Sequence, residues 1–332
     1  MAGFTLLIGA MPAHADPAEN SSPALDALES VADAGSASDV LDSLADVPTD
    51  AVGSASIDSQ VNGLEITVPV DPTNAVTIGD AEVSLPLAAD SSSAEVLDKG
   101  VVSFDAPSST TVVAVKDDGS VQFTSVLDSA DAPVEYRYPL SLPAGTSVSI
   151  DGTGTVWALD EDGALVVGVA PAWAFDANGV AVPTHYEIDG SILTQVVDHT
   201  SGVYAYPIVA DPYMGRNLIQ SISTYVSIPK VSLAISSWGA QIQQGYVPGY
   251  GGTTDGWYVG QSIWRNQGWA ELTARSYLAT TKATYHQQFD CHVLGAYTPR
   301  TGGPTWDLEG YRASRPNWLS DGGAWTYRCN WP

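Results

Sequence analysis

Basic residues are scarce in this sequence: 12 lysines and arginines stand against 38 aspartates and glutamates, for a formal net charge of -26. A chain this anionic repels phosphate backbones and anionic lipid headgroups, which excludes nucleic acid as a partner and argues against a charged membrane surface. Cysteine is scarcer still, with only Cys291 and Cys329 in 332 residues. Neither belongs to a CxxC pair, and no HxxxH spacing supplies further ligands, so no metal site is expected, and no cofactor either. No apolar run approaches the ~20 residues of a transmembrane helix. The G-x-S-x-G turn that exposes a nucleophilic serine is also missing, which leaves Ser314 and Ser320 without catalytic context.

What is present divides the chain into four parts. Residues 1–15 contain a short apolar stretch, GFTLLIGAMP, followed by Ala13-His14-Ala15, which reads as a secretion signal cleaved before Asp16. No lysine or arginine precedes the apolar stretch, so the signal reads as truncated at its start. An exported chain with two cysteines is expected to form one disulfide, Cys291 to Cys329, and closing that loop stabilises the fold by ~4 kcal/mol on a chain-entropy basis. Residues 16–60 are acidic, rich in alanine and serine, and hold no base. Their two short amphipathic turns, after Ser22 and Ser38, are too brief to be stable alone in water, so this stretch reads as a mobile linker, with a docking helix as the alternative.

Residues 61–212 change to short β-branched runs, LEITVPV, TTVVAVK, SVQFTSV, TVWAL and ALVVGV. Asp118-Gly119, Asp151-Gly152, Asp162-Gly163, Asn178-Gly179 and Asp189-Gly190 stand between or near them, and such dipeptides favour tight hairpins. The fold class read from this is mainly β, an antiparallel sandwich or meander followed by a smaller C-terminal domain. Residues 1–212 hold 32 acids and 3 bases, whereas residues 213–332 hold 6 acids and 9 bases, so a domain boundary is expected near 212. Eight of the ten tryptophans and ten of the fifteen tyrosines lie beyond it. That domain, residues 213–332, is expected to be a disulfide-linked, aromatic-rich β or α+β unit. WYVGQSIW and GWAELTAR read as strand-like there, and SYLATTKATYHQQFDCHV as a possible helix.

Two resemblances follow from these motifs. PAWAFDANGVAVPTHYEIDG with YAYPIVADP resembles a module that precedes varied C-terminal domains in secreted actinobacterial proteins. The series GWAELTAR, QFDCHV, TWDLEGYR and a terminal CNW resembles the bacterial family of domain of unknown function 2599, over roughly residues 232–332. That resemblance implies a secreted actinobacterial domain with paired cysteines and implies no activity.

Chemistry-bearing residues concentrate between Gln288 and Arg312. Asp290, Asp307 and Glu309 are candidates for a carboxylate pair, which glycosidic hydrolysis needs at about 5.5 Å or about 6.5–9.5 Å. His292 is a candidate general base if a carboxylate orients it, and His286 is similarly placed. The alternative is that Glu309 pairs with Arg312 and that both histidines are structural. Trp257, Trp264, Trp269, Trp306, Trp318 and Trp325 can serve either as core or as platforms for sugar rings. Arg300, Arg312, Arg315 and Arg328 can recognise anionic groups, or can dock the acidic linker or another domain. Trp306, Arg312, Arg315 and Trp318 are the binding candidates. Glu187, Asp189, Asp198 and His199 read as a solvated face rather than a metal site. Together these readings give an extracellular or wall-associated binding protein for saccharide or another envelope component. A wall hydrolase or antibacterial effector and a passive envelope protein are the alternatives.

Overall fold

The computed structural model describes residues 22–33, 40–46, 56–61, 63–152, 154–162, 165–244, 246–247, 251–252, 260–295, 305–324 and 326–332. The signal segment, Trp257, Arg300 and Trp325 lie outside them. The fold is mainly β, and every strand pair is antiparallel. A seven-stranded sheet runs in the order Ser56–Val61, Leu64–Pro69, Val76–Ile78, Ala81–Val83, Glu135–Ser141, Ile192–Val197, Thr184–Asp189. A ten-stranded sheet is centred on Tyr213–Gly215, Val121–Leu127, Ser109–Val115 and Val101–Ala106. The two share one core, in which Ile66, Val68 and Tyr138 of the first face Phe104, Val113 and Phe123 of the second. Each large apolar side chain buried this way contributes ~1.5–3 kcal/mol.

The strand Val121–Leu127 is buried at every position, so its second face must also be covered. Helix α1 (Pro23–Asp33) covers it, sinking Ala24, Ala27, Leu28 and Val31 among Val112, Ala114, Val126 and Trp173. For Pro23–Asp33 this favours the docking-helix alternative over a mobile linker. An 11-residue helix is marginal in isolation, but tertiary burial of its apolar stripe supplies what propensity does not. The following segment is tied down as well: Lys116 Nζ donates to the carbonyls of Val40 and Asp42, the latter at 2.6 Å.

The charge boundary and the structural boundary differ by a few residues. Tyr213–Gly215 pairs with Val121–Leu127 and Leu165–Val169, completing the first module's sheet. The chain then forms a three-stranded sheet in the order Ile219–Tyr225, Lys230–Ile235, Trp306–Glu309. Around it lie α2 (Ser237–Gln244), a π turn (Trp264–Gly268) running into α3 (Trp269–Arg275), and α4 (Ala283–Gly295). The end of WYVGQSIW and nearly all of GWAELTAR are therefore helical, not strand-like. Alanine, glutamate, leucine and arginine are good helix formers, and Glu271 pairs with Arg275 one turn on at 2.6 Å.

The two modules share a buried seam. Trp238 of α2 is fully buried against Trp157 and Tyr213, with ring centroids 6.4 and 5.8 Å away. Its indole lies over Gly168 and Gly215, which are paired across adjacent strands. A Cβ on either would come within 2.7 Å of the ring. The backbone N–H of Trp238 donates to Asp118 of the first module at 3.1 Å.

Asp211 is fully buried and pairs with no cation among the described residues. Asp211 accepts hydrogen bonds from the Trp173 N–H (2.9 Å), the Tyr186 hydroxyl (2.8 Å) and the Gln195 amide (2.8 Å). Burial dominates those three donors and pushes its pKa up to about 8.

Candidate functional site

The strand Trp306–Glu309 organises the region that the sequence singles out. Successive side chains on a strand point to opposite faces. Trp306 and Leu308 are accordingly buried, while Asp307 and Glu309 stand on the outward face. Gln288 of α4 fixes the strand edge, donating to the Glu309 carbonyl at 3.0 Å and accepting from its N–H at 2.9 Å.

On the outward face, cross-strand register creates two rows. Tyr225, Lys230 and Glu309 are aligned in one, and Ser223, Ser232 and Asp307 in the next. Lys230 Nζ reaches Asp307 at 3.1 Å and lies 5.1 Å from the centre of the Tyr225 ring. Ser232 donates to the other Asp307 oxygen at 2.5 Å. Glu309 accepts from the Tyr311 hydroxyl at 2.6 Å and from the Arg312 guanidinium. Tyr225 and Tyr311 nevertheless remain 47% and 57% exposed. The face thus carries two exposed phenol rings, one beside Lys230 and one 5.4 Å from the Arg312 guanidinium, flanking hydroxyls, an ammonium and two carboxylates.

His292 is elsewhere. It lies on the inward side of the same strand, stacked on Trp306 at 5.8 Å and 9°, beside the disulfide. Desolvation lowers its pKa to about 4, and its Nε2 has no partner. The strand therefore separates the imidazole from Asp307 and Glu309, whose oxygens are already engaged. No acid and base of this set converge on a common point. Asp290 sits apart, near Arg265 (4.0 Å) and His286 (3.7 Å), and its pKa is raised by burial. His286 stacks on Trp269 at 4.2 Å.

The binding candidates are mostly internal scaffolding. Trp306 and Trp264 are buried, with centroids 5.0 Å apart. Trp318 packs against the Cys291–Cys329 pair with Ala324 and Trp331. Arg312 holds the Asn330 carbonyl at 3.1 Å and also that of Trp331, pinning the C-terminus to Glu309. Arg315 pairs with Asp321 at 2.7 Å and stacks 4.8 Å over Tyr327. Among the described residues neither arginine contacts the acidic N-terminal segment, whose helix α1 lies on the first module. His199 is buried, hydrogen-bonded to Tyr206 at 2.7 Å, whereas Glu187 pairs with His185 at 3.3 Å. Among the described residues no group of three or more potential ligands could hold a metal ion.

Sequence reading missed the exposed tyrosines because tryptophan density drew attention inward. The alternation in TWDLEGY already places Asp307, Glu309 and Tyr311 on one face, and that signal would have found Tyr311. No protein-family model matches the chain, and no curated protein matches it. No helix among the described residues is long and apolar enough to cross a membrane.

Proposed function

We propose that the protein is a secreted binding protein whose outward C-terminal sheet face holds a saccharide of the cell envelope. The observation that carries this reading is the pair of exposed rings, Tyr225 and Tyr311, flanking the Lys230, Asp307 and Glu309 groups on one face. Neighbouring strands lie ~4.8 Å apart, so the row from Tyr225 to Glu309 spans about the length of one or two sugar rings. Phenol rings stack on the C–H face of a sugar while hydroxyls and charged groups bond its edge. The buried disulfide supports an oxidising compartment, in keeping with the apolar leader and the resemblance to a secreted domain.

The test is retention of the full chain on purified wall polysaccharide. Tyr225→Ala combined with Tyr311→Ala should weaken retention about tenfold, or ~1.4 kcal/mol, without changing the melting temperature. Absence of wild-type retention, or equal retention of the double variant, sinks the proposal. Trp306→Ala and Arg312→Ala are unsuitable probes, because one empties the core and the other releases the C-terminus.

A further inference from the structure

A cleft of about 540 Å³ opens between the modules, well away from the outward sheet face. Its size falls in the ~300–1,000 Å³ range of small-ligand sites. One wall comes from the first module and the chain leaving it, through Asp162, Leu165, Arg216 and Asn217. The other is a single helical stripe running from the π turn along α3, with Asn266 and Gln267 at one end and Ala270 and Ala274 at the other. The π turn is itself notable, since such wide turns inside helices are frequent at functional sites.

The lining indicates the ligand's chemistry. Among the described residues no aromatic ring lines the cleft, so the stacking that suits a sugar has no platform in that lining. Three carboxamides are present instead, and each offers the same donor and acceptor pair as a peptide unit. The side chains of Asn217 and Asn266 have no hydrogen-bond partner among the described residues. Ala270 and Ala274 are exposed and leave space where any longer side chain would close the cleft.

Charge narrows the choice further. Arg216 is paired with Asp80 at 3.2 Å. Glu271 is committed to Arg275 and to the backbone N–H groups of Leu218 (2.8 Å) and Ile219 (3.2 Å). Asp162, in the lining, pairs with no cation among the described residues, and it favours a basic group on the occupant. We infer that this cleft binds a short peptide segment in extended form, its main chain bonded by Asn217 and Asn266 and a basic side chain directed to Asp162. This site does not depend on the saccharide reading of the sheet face.

The experiment uses the full chain and three blocked tripeptides, acetyl-Ala-Lys-Ala-amide, acetyl-Ala-Ala-Ala-amide and acetyl-Ala-Glu-Ala-amide, followed by saturation-transfer NMR at millimolar peptide. The lysine peptide should bind about threefold more tightly than the alanine peptide, the worth of an exposed ion pair, and the glutamate peptide most weakly. Asp162→Asn should remove that order, and Asn266→Ala should weaken all binding about fivefold, as one lost hydrogen bond implies. Ala274→Trp should abolish binding while leaving the melting temperature unchanged. The Tyr225→Ala, Tyr311→Ala double variant should bind peptide as the wild type does. The inference is overturned if no peptide binds, if the glutamate peptide binds as well as the lysine one, or if folded Ala274→Trp and Asn266→Ala proteins both retain full binding.

Discussion

Replacing Asp211 with asparagine should change how stability depends on pH, and the structure gives the sign. Asp211 is fully buried and its folded pKa is about 8, against ~3.9 for a free aspartate. Between those values the folded state holds a proton that the unfolded chain has released, so stability falls as pH rises, by ~1.36 kcal/mol per unit. Raising the pH from 4 to 7 therefore costs on the order of 4 kcal/mol through this one group. His292 acts in the opposite sense, because its folded pKa of about 4 lies below the ~6.5 of a free imidazole. Its contribution is complete above pH 6.5 and is lost as pH falls toward 4. From these two groups the wild type should be nearly flat between pH 4 and 6.5 and should decline from there to pH 8. Asparagine keeps a carbonyl for the Trp173 N–H and the Gln195 amide, and its own amide can donate to the Tyr186 oxygen. The variant should thus match the wild type near pH 4 and exceed it by about 4 kcal/mol at pH 7. Urea titrations followed by tryptophan fluorescence at half-unit pH steps measure the difference. If that difference does not change with pH, or if asparagine is the less stable form at pH 7, then the three donors outweigh burial and the reasoning fails.

Other outcomes follow from the same contacts. Replacing His292 with asparagine should leave a stability curve that falls steadily from pH 4, because only the Asp211 contribution then remains; denaturant midpoints across that range report it. Replacing Cys291 and Cys329 with serine should lower stability by ~4 kcal/mol, seen as a drop in urea midpoint. Leu28→Ala, at a fully buried position of α1, should cost ~2–5 kcal/mol and increase proteolysis of the N-terminal segment. Gly215→Ala should destabilise the seam with Trp238 by ~1–3 kcal/mol, with a red shift in tryptophan emission as its check.

Much of the first module was legible in the sequence, because hairpin dipeptides and β-branched alternation are local signals. LEITVPV and SVQFTSV are strands where the pattern places them. Helix α1 was legible as a pattern but not as a stable element, since its stability comes from Val112 and Val126, far along the chain. The helical GWAELTAR was obscured by flanking tryptophans, although its other residues favour a helix. The carboxylates Asp307 and Glu309 were identifiable, but their engagement by Lys230 and Arg312 depends on register and on a turn. Asp211 carried no local signal at all: its donors come from residues 173, 186 and 195. The cleft joins residues near 162, 217 and 266, and no short motif encodes such an assembly.

The indole seat formed by Gly168 and Gly215 bears on how this protein can be divided. Cutting at the change of charge would strip Trp157 and Gly168 from the tail, part Tyr213 and Gly215 from the strands they pair with, and leave one side of Trp238 facing water. The two halves should therefore melt as one cooperative body. Grafting the tail onto another carrier would require transplanting that seat with it.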